Sequence, residues 1–268
     1  LEITKAGQVM TDIRELILYR NFENGKVLED MTWIMEHFNQ KECTEEVRNR
    51  FFSCMHELIE LAAQYGFEQN LWQTYLTFLL VNNENSFSTA CEIRGISDCS
   101  LLNLARHDFA IFRELFAYDF TDLERTLQAG FFEELLRYRR EETSGKLFNH
   151  RIRDRICSLS KELAAADTLE GFTESMVEFY REFGVGTLGL HKAFRVAHDE
   201  SGVRIEPITN IRHVNLEDLV GYEIAKQKLI DNTEAFVQGR RANNCLLFGD
   251  AGTGKSSSIK AILNRYYD

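Results

Sequence analysis

The sequence predicts a mainly α fold: a helical N-terminal domain, a short β-hairpin joint, and the first strand–loop–helix of an α/β domain. Three observations carry that expectation. Pro207 is the only proline, so nothing interrupts long helical runs over the first 183 residues. Apolar residues in that stretch recur at three- and four-residue steps, the period of one helix face. Near the C-terminus, the unbroken apolar run Cys245-Leu246-Leu247-Phe248 leads into a glycine-rich turn and a further amphipathic segment.

In chain order, the first stripe is Val47, Phe51, Cys54, Leu58, Leu61 and Ala62. It follows Thr44, where Glu45 and Glu46 suit the positive end of a helix. Leu71, Tyr75, Phe78 and Leu79 make the second stripe, and Leu101, Leu104, Phe109, Phe112 and Phe116 the third. Thr121 with Glu124, preceded by Phe120, has capping-box spacing, and Asp167 with Glu170 repeats it. Eight or nine helices are expected up to Phe183. Their aromatic residues stand at helical spacing and read as core rather than as a cofactor box.

The pattern changes at Gly184-Val185-Gly186-Thr187-Leu188-Gly189. Residues 191–196 and 203–206 read as two short strands, with turn chemistry in Asp199-Glu200-Ser201-Gly202. A helix is expected from residue 222 to about 237, closed by Gly239. Residues 245–248 have the continuous apolar character of a buried parallel strand. Residues 256–265 then read as a helix with Ile259, Ile262 and Leu263 on its inner face.

Composition narrows the function classes. Hydrophobic residues make up 44% and charged residues 27% of 268, which suits folded cores. No apolar run approaches the roughly 18 residues needed to span a bilayer, and Leu1-Glu2-Ile3-Thr4-Lys5 does not resemble a signal peptide. The default expectation is a cytoplasmic protein without membrane association, and the missing initiator Met suggests a start inside a longer gene product. Cys43, Cys54, Cys91, Cys99, Cys157 and Cys245 show no ligand-like spacing and read as buried free thiols. The formal net charge of -11 argues against a nucleic-acid partner. One basic run, Arg137, Arg139, Arg140, Lys146, Arg151, Arg153 and Arg155, is interleaved with Glu141, Glu142 and Asp154 and reads as a solvated face.

Two glycine motifs bear on chemistry. Gly184-x-Gly186-x-x-Gly189 matches the dinucleotide fingerprint letter for letter, but a helical pattern precedes it and a strand-like one follows. That order is the reverse of what pyrophosphate binding needs, so these glycines read as a helix stop and hinge. The second motif is Gly249-Asp250-Ala251-Gly252-Thr253-Gly254-Lys255-Ser256, of the form GxxxxGKS. At a glycine usage of about 7% it arises by chance in only about one such chain in a hundred. It also stands where the chemistry demands, after an apolar run and at the opening of a helix. In such a phosphate-binding loop (P-loop) successive backbone N–H groups cradle the phosphates of ATP. Lys255 places its ammonium beside the β- and γ-phosphates, and Ser256 offers its hydroxyl to Mg2+. Thr253 and Ser257 are expected to contribute mainly through the backbone.

The residues around that loop carry a resemblance. Val214-Asn215-Leu216-Glu217-Asp218-Leu219-Val220-Gly221-Tyr222-Glu223, followed by Asn243-Asn244-Cys245-Leu246-Leu247-Phe248-Gly249 and the loop, resembles the opening of an AAA+ ATPase module. More narrowly it looks like a bacterial family of AAA+-type ATPases with a helical N-terminal region and no assigned function. Asp231-Asn232-Thr233-Glu234-Ala235-Phe236 fits that family's pattern, and Asn85-Ser86-Phe87-Ser88 does so more weakly. The resemblance covers roughly the last fifty-five residues. It implies that Val220, Gly221 and Tyr222 pack against adenine, a reading favoured over the alternative in which Gly221 simply ends a turn before the helix. Asp250 departs from the proline common at that position, and a carboxylate near phosphates carries a mild electrostatic cost.

The resulting division is a helical domain (1–183), a glycine hinge and hairpin linker (184–213), and the N-terminal part of an AAA+ P-loop domain (214–268). No apolar strand ending in paired carboxylates follows the loop, and no sensor or arginine finger can be assigned. The expectation is therefore an incomplete ATPase domain, without catalytic residues of its own in this stretch. Its complete protein would couple ATP binding and hydrolysis to remodelling of a protein partner, and homo-oligomerisation follows by family analogy alone. Two other readings stand beside it: a nucleotide-controlled signalling or oligomerisation switch, and a helical interaction module that turns over no nucleotide.

Overall fold

The computed structural model describes residues 12–38, 44–96, 99–128, 130–139, 150–186, 193–199, 202–208 and 214–266. The first five residues, Cys43, Gly189, the Glu200-Ser201 turn tip, Arg140 and Lys146 lie outside them. The chain divides into two compact units, Leu1–His191 and Lys192–Asp268.

The first unit is helical. After a 3-10 turn at Ile13–Glu15 come α1 (Lys26–His37), α2 (Glu45–Tyr65), α3 (Leu71–Asn82), α4 (Ser86–Arg94) and α5 (Ser100–Phe116). Then follow α6 (Thr121–Leu127), α7 (Phe132–Leu136), α8 (His150–Ala165) and α9 (Leu169–Phe183), so nine α-helices are described up to Phe183. Short polar side chains start several of them. Thr44 accepts from the Val47 N–H at 3.3 Å, and Asn70 from that of Gln73 at 3.1 Å. Asn85 and Ser88 form a reciprocal capping box, each side chain accepting the other's N–H. Two caps fall beside the expected positions. At α6 the Asp119 carboxylate takes the N–H and hydroxyl of Thr121, at 2.9 and 2.5 Å, leaving Thr121 inside the helix. At α9 Thr168, not Asp167, accepts from the Gly171 N–H at 3.1 Å. In both places neighbouring short oxygen-bearing side chains compete for the same amides, and the one whose oxygen reaches them takes the role.

Packing follows the three stripes with one shift. On α5 Leu104 is exposed, and Ala105, Asp108, Phe109 and Phe112 face inward instead, which keeps the 3.6-residue period. The helix α3 is buried on nearly every side, as expected of a central helix. Nearly all polar groups taken inside are paired; among the described residues the exception is the buried Arg106 Nε, which has no hydrogen-bond partner. The Asp108 carboxylate accepts the N–H groups of Ile17, Leu18 and Tyr19 at 2.9, 2.7 and 2.9 Å. The Tyr180 hydroxyl donates to Leu80 O at 2.7 Å, which leaves it to accept from the Tyr19 hydroxyl at 3.0 Å. Around that pair Phe87, Phe109, Phe112 and Phe172 meet in tilted and edge-to-face contacts. The aromatic residues of this region are its core.

The end of α9 explains the first glycine motif. The Gly184 N–H closes on Tyr180 O at 3.0 Å. Gly186 has φ +66°, and a Cβ there would run into the Glu84 side chain. These glycines stop a helix and allow a close approach. In the basic run, Arg137 pairs with Glu133 at 3.1 Å, Arg153 with Asp154 at 2.6 Å, and Arg155 lies over the Phe183 ring.

The second unit opens with an antiparallel hairpin, β1 (Phe194–Asp199) and β2 (Gly202–Pro207), with Val196 opposite Ile205. A 3-10 turn at Leu216–Asp218, α10 (Glu223–Val237) and α11 (Lys255–Tyr266) follow. Among its described residues the buried apolar side chains are Leu216 and Ala261. Ile259 was expected to face inward and is 56% exposed, because α11 packs through Ala261. The expected strand at residues 245–248 is not formed: Leu246 is 85% and Phe248 87% exposed. A strand needs partners along its edges, and among the described residues the backbone of 244–248 has none. Cys245 is exposed for the same reason, whereas Cys54 and Cys91 are buried.

Candidate functional site

Residues 249–256 join the unpaired segment to α11. Gly249, Gly252 and Gly254 take φ of 139°, 81° and 82°, a region that side chains with a Cβ rarely enter. Three positive-φ glycines within six residues fold the chain into a tight loop that ends on the first turn of α11. Lys255, the first residue of that helix, turns back over the loop. Its Nζ donates to Gly249 O at 2.8 Å and Asp250 O at 2.6 Å, and reaches Thr253 Oγ1 at 3.3 Å. The Thr253 hydroxyl donates to Asp250 O at 2.8 Å. Thr253 thus has a side-chain part in the loop, beyond the backbone role its sequence position suggests. Asp250 engages Lys255 through its carbonyl, while the residue as a whole is exposed.

The backbone donors are arranged differently. Ser258 N–H makes the first helical bond, to Gly254 O at 2.8 Å. Among the described residues no protein acceptor pairs with the N–H groups of 252–257. Free amides of a glycine-rich turn, continued into a helix N-terminus beside a lysine, make a concentration of positive potential that fits a phosphate chain. The Ser256 side chain is exposed and makes no hydrogen bond within the protein among the described residues, so its hydroxyl is open to a cation. No group of three His, Cys, Asp or Glu that could cage a metal exists among the described residues. A Mg2+ ion held by one hydroxyl, waters and phosphate oxygens suits that donor set.

Val220, Gly221 and Tyr222 precede α10 and lie open to solvent, Val220 at 95% exposure. Gly221 and Tyr222 both adopt positive φ, 88° and 56°. Lys226, one turn into α10, donates to Leu219 O and pairs with Glu223 at 2.8 Å, which fixes the segment on the start of the helix. Just upstream, Leu216 is buried and Asn264 of α11 donates to Val214 O at 3.2 Å. The 3-10 turn before these residues is therefore anchored on the helix that follows the loop.

Two residues of α10 were not singled out for a role by motif reading. Asn232 accepts from the Asn243 N–H and donates to Asn243 O, both at 2.8 Å, and its amide also lies 3.2 Å from Cys245 Sγ. Glu234 accepts from the Tyr266 hydroxyl at 2.8 Å, with Arg265 at 3.8 Å. The available signal was Asp231-Asn232-Thr233, three poor helix formers in mid-helix, where a side chain retained for polar contacts is the physical explanation.

The family described as a protein of unknown function (DUF815) matches residues 189–268, which begin three residues before the second unit. No curated protein and no solved structure matches the chain. Among the described residues no helix is long and apolar enough to cross a membrane.

Proposed function

We propose that residues 249–257 bind the triphosphate of ATP with Mg2+, and that the chain is part of an AAA+-type ATPase that uses nucleotide to remodel a protein partner. The observation that carries this reading is the set of unpaired amides of 252–257 curled around Lys255. On binding, those amides donate to phosphate oxygens, and Lys255 exchanges its bonds to Gly249 O and Asp250 O for the β- and γ-phosphates. Ser256 holds Mg2+ through its hydroxyl, and the ion neutralises charge on the phosphates. Val220, Gly221 and Tyr222 supply the adenine contact, with exposed apolar surface that a purine ring would cover. Asp250 keeps its carboxylate in solvent, which screens its repulsion of the phosphates.

Lys255→Ala is the test. Calorimetric titration of this chain with Mg-ATP should show one saturable site. The substitution should weaken it by at least about tenfold, the scale expected for removing one charge-assisted hydrogen bond. Unchanged affinity in the variant would remove the loop from consideration as the site.

A further inference from the structure

The middle of α10 touches both ends of the loop region. Asn232 pairs with both backbone groups of Asn243, as a neighbouring strand would, and so fixes the chain six residues before Gly249. Glu234 holds Tyr266, the last residue of the helix that follows the loop, and draws in Arg265. Two residues apart on a helix, side chains point to different sides, so one helix grips the entry and the exit of the loop separately. The same helix begins directly after Val220, Gly221 and Tyr222, a segment Lys226 ties to it through Leu219 O. Burial cannot supply this fixation, since Leu246 and Phe248 are in solvent and α10 buries no side chain.

We propose that Asn232 and Glu234 are positioning residues that set the separation between the 220–222 segment and the phosphate loop, so that base and triphosphate are held together. This rests on the nucleotide reading above. It adds that α10 acts as a rigid brace, and that selectivity for a nucleoside triphosphate over a bare triphosphate depends on polar ties remote from the ligand. Asn232 is the stronger of the two, because two of its three hydrogen bonds go to one residue's backbone and leave it no freedom to slide.

The test compares Mg-ATP with inorganic tripolyphosphate, each titrated into the whole chain and into Asn232→Ala and Asn232→Asp. Wild type should prefer ATP. Asn232→Ala should lower ATP affinity by about tenfold, the effect of two exchanged hydrogen bonds, while tripolyphosphate affinity stays within about twofold. Asn232→Asp keeps the bond from the Asn243 N–H and loses the two that the amide nitrogen donates, so its ATP affinity should fall between those of wild type and Asn232→Ala. Tyr266→Phe, which removes one tie at the other end, should shift the same ratio by a smaller factor. An equal loss of both ligands in Asn232→Ala would mean that Asn232 only keeps the loop folded, and no loss of either would mean that the clamp is idle; each result overturns the proposal. A wild type that binds tripolyphosphate with no preference for ATP would overturn it too, leaving the phosphate loop intact. A wild type that binds neither would sink the nucleotide reading itself.

Discussion

Leu1–His191 closes around aromatic side chains that water does not reach, whereas Lys192–Asp268 leaves Val220, Leu246 and Phe248 almost wholly in solvent. Charge divides along the same line. Of the 31 Lys and Arg and the 42 Asp and Glu, the first unit has 20 and 32 and the second has 11 and 10. The helical unit is therefore strongly acidic, and the loop-bearing unit is close to neutral, with Lys255 among its cations. The two are held by different forces. Apolar burial holds the first, with a few fully paired polar groups such as Asp108 and the Tyr19–Tyr180 pair inside it. Side-chain to backbone bonds from Lys226, Asn232 and Asn264 hold the second. The phosphate binding proposed for the loop would gain from the second arrangement, because its amides must stay unpaired until a ligand meets them.

The largest expected effect tests the first half of that contrast. Phe109, fully buried against Tyr19, Phe87 and Phe172, should cost about 3–5 kcal/mol of folding stability when replaced by Ala, read by urea denaturation of the whole chain. A loss below about 1 kcal/mol would mean that this core is loose.

A smaller effect comes from pH. Burial pushes the Cys54 thiol up to about 12 and the Cys91 thiol up to about 11, and it also raises the hydroxyls of Tyr19, Tyr75 and Tyr180 above the ordinary tyrosine range. The folded chain keeps these protons where the unfolded chain has begun to lose them. Stability from this source is therefore fully present below about pH 9 and declines as pH rises toward 11 and 12. The melting temperature of the helical unit should fall between pH 9 and pH 11; a flat profile would mean that these groups are not sealed from water. The smallest effect belongs to the other unit. Ile259→Ala, at a side chain 56% exposed, should change stability by less than about 0.5 kcal/mol, and a loss like that of Phe109→Ala would dissolve the distinction between the units.

The helical unit was largely legible in the sequence because its helices are long and its stripes keep one period. Where the reading missed, the cause was local competition: Leu104 against Ala105 on α5, and Asp119 against Thr121 at the start of α6. The hairpin was legible from its turn residues, with β1 beginning at Phe194 and β2 ending at Pro207. Residues 245–248 failed for another reason. Their apolar run signals a strand only if neighbours cover it, and composition cannot say whether neighbours are there. At the candidate site the GxxxxGKS spacing carried the loop, since glycine conformation and lysine position are written in the motif. The part played by Asn232 was not, because its partners lie on the backbone of Asn243, and backbone contacts leave no trace in residue types.

The central claim is that the amides of 252–257 are held open for phosphate, and hydrogen–deuterium exchange of the whole chain with and without Mg-ATP tests it most directly. The account predicts slowed exchange in peptides covering 249–258, a weaker slowing over 219–224, and none in the buried helices α3 and α5. Nucleotide at saturating concentration that leaves 249–258 unchanged would contradict it, as would protection confined to the helical unit.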